Sequence, residues 1–409
     1  MYLSIPNLPF PKDWLPASTC LVGGTVRDAL LNRTRDAFDL DLILEEPAIE
    51  LAREIADRCQ AGFVILDAER DIARIVFTEG TVDFAKLEGE SLEQDLRRRD
   101  FTINAIAHHL QTEQLIDPLH GKEDLEAGVI KMVSAANLRD DPLRLLRAYR
   151  QAAQLNFTID DTTRETIREI APCLQEVAAE RIQTELSYLL AASHGSFYLQ
   201  QAWEDGLLST WFPTLTQKEV EQVQKIDVAK ENLTQYYPTL PPIWEHNVGG
   251  KSDSLQALAK LACLVSSSPE VAERQLTELK YSRAEIRTVT TALNLLPRLL
   301  GNKIAEMSVR DQYFFFRDAG KVFPVILLVA VAKGLSLESV DPLIERYLNP
   351  NDPVAYPQPL VSGQDLLRSL PLSPSPKIGE LLTELQIAAI EGRIRTKDEA
   401  LTLARSWVS

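Results

Sequence analysis

Leu21-Val22-Gly23-Gly24-Thr25-Val26-Arg27-Asp28-Ala29-Leu30-Leu31, followed by Phe38-Asp39-Leu40-Asp41-Leu42-Ile43-Leu44, is the stretch that decides the fold. It reads as a strand, a Gly-Gly turn, a short helix and a second strand. Adjacent glycines let the backbone turn tightly and come close to a ligand, and a helix that starts at once offers unpaired N–H groups to an anion. Arg27 and Asp28 fall in that first helical region. Asp39 and Asp41 are two positions apart in an apolar strand, so both carboxylates leave one face while Leu40, Leu42 and Leu44 pack on the other. Such crowding raises carboxylate pKa unless a cation neutralises it, and two carboxylates beside phosphates are what Mg2+ typically receives from a protein.

The rest of the composition narrows the class. At 409 residues with 45% hydrophobic content, the chain is too long for one compact core and predicts several domains. A net charge of −16 excludes a protein coated in basic surface, so any nucleic acid must be held by a local basic patch. Cys20, Cys59, Cys173 and Cys263 are isolated from one another, form no C-x-x-C pair and fit a reducing cytosol. The proline-rich start has no basic region ahead of an apolar core, so no signal peptide is expected. Phe323 to Ala332 is the nearest approach to a membrane span and is too short. A cytoplasmic location without a membrane partner is therefore expected.

Residues up to about 135 alternate strand and helix patterns. Leu51 to Cys59 reads as an amphipathic helix, and 63–66, 72–77 and 81–85 read as strands. Asp83, flanked by Val82 and Phe84, is a candidate third carboxylate for the face of Asp39 and Asp41. Arg97-Arg98-Arg99-Asp100-Phe101-Thr102-Ile103-Asn104-Ala105 carries three arginines directly into an ordered apolar segment. From residue 135 the pattern is helical. Asp140, Asp141 and Pro142 open a helix on which Arg144, Arg147 and Arg150 recur every third residue while Leu145 and Leu146 turn inward. Gly249-Gly250-Lys251-Ser252 invites a phosphate-loop reading, but the earlier glycine it needs is Glu245 and no strand precedes it.

Taken in order, these segments resemble the class II tRNA nucleotidyltransferase and bacterial poly(A) polymerase family. Gly23-Gly24-x-x-Arg27-Asp28 with Asp39-x-Asp41 matches its first motif and 98–105 its R-R-D-F-T-I-N-A motif. Asp117-Pro118-x-x-Gly121-x-x-Asp124-Leu125 looks like a connecting turn, in which Asp117 caps and Gly121 supplies a positive φ. Asp140-Asp141-x-x-Arg144 matches an E-D-x-x-R motif, with Asp140 where glutamate is more usual. Glu180-Arg181-x-x-x-Glu185-Leu186 resembles a fifth, supporting motif, where Glu180 and Arg181 are expected in buried pairs. The tail segments around Gly363 and Lys377 resemble the end of the same family, with Gly363 in a loop and a helix beginning near Lys377.

The resemblance implies an α+β fold. A nucleotidyltransferase head with a small mixed β-sheet and helices spans 1–135, and an all-α neck (136–200), body (201–300) and tRNA-binding tail (301–409) follow. It implies an enzyme that extends the tRNA 3' end without a template. Asp39 and Asp41 would hold Mg2+, with Asp83 as the third catalytic carboxylate. Gly23, Gly24 and Asp28 would belong to the nucleotide-binding site, Arg27, Arg98 and Arg99 would meet the triphosphate, Asp100 would accept from a ribose hydroxyl, and Asn104 would brace the site. Asp141 would accept from the exocyclic amine of cytosine or adenine while Arg144 donates to ring acceptors; uracil and guanine present the wrong edges. Arg147 and Arg150 would reach phosphate or hold those two in place.

Members that add C, C and A usually carry a longer loop between the strand of Asp83 and the R-R-D motif. Glu88 to Gln94 leaves almost no room for one, which implies CC addition from CTP, with a separate A-adding enzyme completing the end. Full CCA addition with ATP, A addition, poly(A) synthesis, a non-catalytic RNA-binding protein and a nucleotide-sensing or nucleotide-hydrolysing domain are the alternatives.

Overall fold

The computed structural model describes residues 7–33, 37–246, 254–300, 303–370 and 373–408. The Gly249–Ser252 stretch lies outside them. The chain divides into two compact units, Met1–Thr210 and Trp211–Ser409.

The first unit opens with β1 (Cys20–Val22), α1 (Gly24–Leu30), β2 (Phe38–Leu44), α2 (Ala48–Cys59), β3 (Gly62–Asp67), β4 (Ile72–Val76), β5 (Gly80–Lys86), α3 (Leu92–Leu96), β6 (Ala107–His109) and β7 (Leu115–Ile116). The strands form one mixed sheet, ordered β3-β4-β5-β2-β1-β6-β7. β2 and β5 run parallel, and the other neighbours are antiparallel. The two faces of β2 separate as the alternation requires. Leu40, Leu42 and Leu44 are buried with Ala73, Ile75, Val82 and Phe84 beneath Ala48, Ala52, Ile55 and Ala56 of α2. Each such leucine contributes about 1.5–3 kcal/mol of burial. On the other face Ile43 is covered by Cys20, Val22, Leu96, Ala105 and Ala107. Asp39 and Asp41 stand on that same face, exposed and half-buried respectively. The connection from β5 to α3 is five residues long, Leu87 to Ser91.

Asp117 caps α4 (Gly121–Ala127), its two oxygens accepting from the Gly121 and Lys122 N–H groups at 2.8 and 2.9 Å. Gly121 itself differs from the expectation: the positive φ, +56°, belongs to His120. Glycine is needed at 121 for closeness, since a Cβ there would stand 2.1 Å from the Thr102 carbonyl oxygen. The helical part of the unit comprises α5 (Ala135–Asp140), α6 (Leu143–Leu155), α7 (Asp161–Ile170), α8 (Ala179–Ala191) and α9 (Gly195–Glu204). Pro142 separates α5 from α6, as its missing N–H and fixed φ favour. The boundary expected at residue 200 falls within α9, and the two units divide later, after Thr210.

The second unit is helical throughout its described residues. α10 (Gln217–Tyr236), α11 (Pro241–Trp244), α12 (Leu255–Leu264), α13 (Pro269–Glu278), α14 (Arg283–Leu295), α15 (Lys303–Glu306), α16 (Val309–Ala319), α17 (Phe323–Ala332) and α18 (Leu337–Leu348) form its larger part. α17 is the apolar run noted in the sequence, and it is buried within the unit. No described helix is long and apolar enough to cross a membrane. α19 (Gly363–Ser369), α20 (Pro376–Ile390) and α21 (Lys397–Val408) enclose a separate apolar cluster that includes Leu366, Leu381, Leu385 and Ala404. Gly363 is the first residue of α19 rather than part of a loop. Ser362 caps that helix and Asp365 bonds back to Ser362, a reciprocal arrangement that fixes where the helix starts.

In the first unit a buried carboxylate ties the helices together. Asp205, its side chain 1% exposed, accepts from Tyr149 Oη on α6 and from Arg164 Nε and Arg168 Nε on α7 at 2.5 and 2.6 Å. Burial works against its charge, but the hydrogen bonds from Arg164, Tyr149 and Arg168 outweigh it and hold the carboxyl below its ordinary range. Asp205→Ala leaves Tyr149 and two arginines without their shared acceptor, and is expected to cost about 3–5 kcal/mol. The sign of its pH dependence follows from the lowered pKa. The contribution is present above the ordinary carboxylate range and fades as pH falls below about 4. Urea unfolding of wild type and variant at pH 7 and at about pH 3 measures both the gap and its narrowing.

Candidate active site

The Gly-Gly turn brings the two halves of the site together. Val22 lies opposite Asp41 in the β1–β2 pair, so Gly23 follows directly above that carboxylate. Gly23 has φ +73° and ψ −138°, a conformation that strongly favours glycine. A Cβ there would stand 3.1 Å from Asp41 Oδ2 and 3.2 Å from Arg99 Nη1. The absence of a side chain at 23 therefore leaves the space between a carboxylate and a guanidinium. Thr25 Oγ1 donates to the Asp39 carbonyl at 2.6 Å, and Thr81 Oγ1 donates to Asp39 Oδ1 at 2.7 Å, holding that side chain from β5. Burial, with Asp83 and Asp39 nearby, pushes the Asp41 carboxyl up to about 6 against the opposing effect of Arg99.

Asp83 lies opposite Asp41 in the parallel β2–β5 register, as the strand reading requires. Its carboxylate is engaged, however. Arg74, opposite Asp83 on β4, forks onto both oxygens, Nε to Oδ1 at 2.6 Å and Nη2 to Oδ2 at 2.7 Å. The sequence reading missed Arg74 because its relevance depends on which strand neighbours β5. Among the described residues no three His, Cys, Asp or Glu side chains assemble as a metal site. Asp39 and Asp41 remain as a two-carboxylate set of oxygen donors. That donor set fits Mg2+, which is usually bound through one or two carboxylates with the remaining positions filled by substrate phosphates and water.

Beyond Gly23 a cleft of about 850 Å3 is lined by Arg70, Arg98, Arg99, Arg144, Arg147 and Arg181 together with Glu88, Asp95, Asp100, Asp140 and Asp141. Six arginines and five carboxylates line it, so charge is nearly balanced there in a chain of net charge −16, and an anionic ligand would be met by the guanidinium groups left only partly paired. Arg98 is exposed and paired with Glu88 at 2.6 Å. Arg99 pairs with Asp95 at 3.5 Å, and its buried Nε has no hydrogen-bond partner among the described residues. A buried N–H of that kind suits an incoming phosphate oxygen. Asp141, at the junction of α5 and α6, accepts from Arg181 Nη2 at 2.9 Å. Arg144 Nη1 donates to the carbonyls of Arg98 and Asn137 at 2.9 and 3.0 Å.

Several of the expected ligand-binding residues are bonded to other side chains of the first unit. Arg27 is 7% exposed; its Nη1 donates to Asn104 Oδ1 at 2.9 Å and to Gln151 Oε1 at 3.2 Å, and its Nη2 pairs with Asp28 at 2.7 Å. Asp100 accepts from Asn104 Nδ2 at 2.9 Å, from the Phe101 N–H at 2.8 Å and from Arg147 Nε at 3.0 Å. Its burial disfavours charge, but Arg147, Asn104 and the Phe101 N–H outweigh that and hold it at about 2. Arg150 donates to Glu185 Oε2 at 2.5 Å, and Arg147 reaches the same carboxylate at 3.5 Å. Glu185 of α8 thus braces α6, as the supporting motif implied. Glu180 and Arg181 are not the buried pair expected: both are exposed, and Arg181 lines the cleft. Asn137 was also missed. Its Nδ2 donates to the carbonyls of Arg97 and Arg99, both at 2.8 Å, and clamps the arginine run in place.

Sequence comparison accounts for this arrangement. The poly(A) polymerase head-domain model matches residues 19–131, a model named for the RNA- and SrmB-binding site of polymerase A matches 156–219, and one for tRNA nucleotidyltransferase domain 2 matches 251–404. A CC-adding tRNA nucleotidyltransferase of Synechocystis sp. is 49% identical over 98% of this chain and 96% of its own. The chain belongs to the tRNA nucleotidyltransferase family. An A-adding tRNA nucleotidyltransferase of Deinococcus radiodurans is 31% identical over 97% of both chains. The structure of a CCA-adding enzyme with CTP superposes with a TM-score of 0.73 at 23% identity, covering 96% of this chain and 91% of that one, which shows the shared fold. This nucleotidyltransferase is an enzyme, and its family generally uses divalent metal ions.

The crowding at Gly23 yields a direct test. Gly23→Ala forces a side chain between Asp41 and Arg99 and strains the turn by about 1–3 kcal/mol. Nucleotide transfer is expected to fall by at least roughly tenfold, one power of ten for each 1.36 kcal/mol lost from the transition state. Circular dichroism should show the helical content retained. Wild-type activity in the variant would show that the site does not use this gap.

Proposed function

We propose that this nucleotidyltransferase adds two cytidines to the 3' end of tRNA from CTP, without a nucleic-acid template. The RNA hydroxyl attacks the α-phosphorus of CTP, and the new P–O bond forms as the bond to departing pyrophosphate breaks. Asp39 and Asp41 would hold Mg2+, which when bound offsets charge on the triphosphate and on the attacking oxygen. Arg98 and Arg99 bind the triphosphate, Arg99 through the unpartnered Nε. Asp100 orients the ribose from within its bonds to Asn104 and Arg147. Arg27, Asp28 and Asn104 act beneath the site by holding that segment.

Asp141 and Arg144 read the base. They line the same cleft as Arg98 and Arg99, and this proximity is the observation that carries the proposal. Asp141 accepts from the exocyclic amine of cytosine, and Arg144 donates to O2 and N3. Uracil offers a carbonyl and an N–H at those positions, which leaves groups of the site unpaired. Arg181 fixes the Asp141 carboxylate at 2.9 Å, so the acceptor is oriented before the base arrives. Arg147 and Arg150 hold α6 through Asp100 and Glu185. The five-residue connection from Leu87 to Ser91 supports CC addition over full CCA addition, and the 49% identical CC-adding relative supports it independently. Cytoplasmic work in series with an A-adding enzyme follows from that reading.

Two experiments test the proposal. A tRNA ending at its discriminator base, supplied with CTP and ATP together, is expected to grow by two nucleotides. Growth by three, or addition of A alone, would overturn the CC-only reading, and a lack of RNA extension would favour a binding or sensing protein. Asp41→Ala is expected to abolish CTP incorporation while tRNA binding in a filter assay is largely preserved. Retained incorporation would remove Asp41 from the chemistry.

A further inference from the structure

Arg144, Arg147 and Gln151 occupy positions i, i+3 and i+7 of α6 and share one face of the helix. Each engages the arginine-motif segment in succession. Arg144 Nη1 donates to the Arg98 carbonyl at 2.9 Å, Arg147 Nε donates to Asp100 Oδ2 at 3.0 Å, and Gln151 Oε1 accepts from Asn104 Nδ2 at 2.9 Å. Gln151 Oε1 also accepts from Arg27 Nη1 at 3.2 Å. One amide oxygen therefore joins α1, the segment 98–104 and α6. The residue is 2% exposed, so water does not compete for it.

We propose that Gln151 is a positioning residue that sets the register of α6 against residues 98–104 and thereby places Arg144 for reading the base of the incoming nucleotide. The inference rests on the assignment of Arg144 as a base reader. Attraction between Arg147 and its carboxylates varies slowly with distance and tolerates sliding, whereas a neutral hydrogen bond weakens steeply with angle and separation. A slip of α6 by one residue moves it about 1.5 Å and turns it by about 100°. Arg144, two turns before Gln151 on the same face, would then no longer point at the segment that carries Arg98 and Arg99. The fold has other ties at this point. Without Gln151, Arg27 keeps Asp28 and Asn104 Oδ1, and Asn104 keeps Asp100.

The test compares wild type, Gln151→Met, which preserves length and removes the acceptor, and Gln151→Glu, which preserves the acceptor. Equilibrium binding of CTP and UTP is measured alongside single-nucleotide addition to tRNA and thermal unfolding. Gln151→Met is expected to lose roughly tenfold of the CTP-over-UTP preference, about the worth of one hydrogen bond. Its melting temperature and tRNA affinity should stay close to wild type, and Gln151→Glu should recover the preference. An unchanged preference in Gln151→Met overturns the inference. So does equal impairment of both variants, or equal loss for CTP and UTP, since either result indicates a purely structural role. Wild-type protein that binds CTP no more tightly than UTP would instead refute the base-reading assignment, and the inference with it.

Discussion

The site depends on the buried polar contact between α6 and the segment from Arg98 to Asn104. Arg147 and Asn104 both bond the Asp100 carboxylate, Gln151 bonds Asn104 and Arg27, and Glu185 holds Arg147 and Arg150 from behind. Buried charges are costly unless each is paired and hydrogen-bonded. Here every charged member has a partner, and the pairing is specific enough to fix two elements relative to one another. A catalytic sheet and a helical neck are thereby joined rigidly within one compact unit.

That rigidity allows a strongly acidic protein to gather arginines in one cleft. The arginines divide into two groups. Arg27 and Arg150 neutralise internal carboxylates, Arg147 does so from the cleft wall, and Arg98, Arg99, Arg144 and Arg181 line the cleft with partial engagement. The same division holds for the acids. Asp100, Asp205 and Glu185 are enclosed by donors, while Asp39 and Asp41 stand close together on the face of β2 whose far end, at Ile43, is covered by Leu96 and Ala107. Burial, with Asp83 and Asp39 close by, raises the pKa of the Asp41 carboxyl, so a cation bound beside it would favour its charged form.

Strand parity was plain from the sequence. The alternation in Phe38–Leu44 placed Asp39 and Asp41 opposite the leucines, and the structure shows those two faces. The Gly-Gly turn, Asp117 as a cap, Pro142 at a helix start and the short connection after Asp83 were equally legible, because each is a local backbone preference. Gly121 was read as a turn residue because a positive φ is the commonest reason for glycine. The close approach of the Thr102 carbonyl is a contact between distant segments and leaves no local trace. Arg181 was misjudged for a related reason, since its motif alone gives no indication of which side of α8 faces the cleft.

By itself the sequence determined which residue types are available, which strand face carries the carboxylates and where a cap or a proline starts a helix, as at Asp117 and Pro142, since these follow from periodicity and backbone sterics. Only the tertiary structure decided which charges serve the ligand and which serve the fold. Arg74 neutralises Asp83 because β4 and β5 pair, and Arg27 is buried among polar partners because Asn104 and Gln151, remote in the chain, are packed against it. The role of a charge is set by its nearest opposite charge and its distance from water, and both are properties of packing.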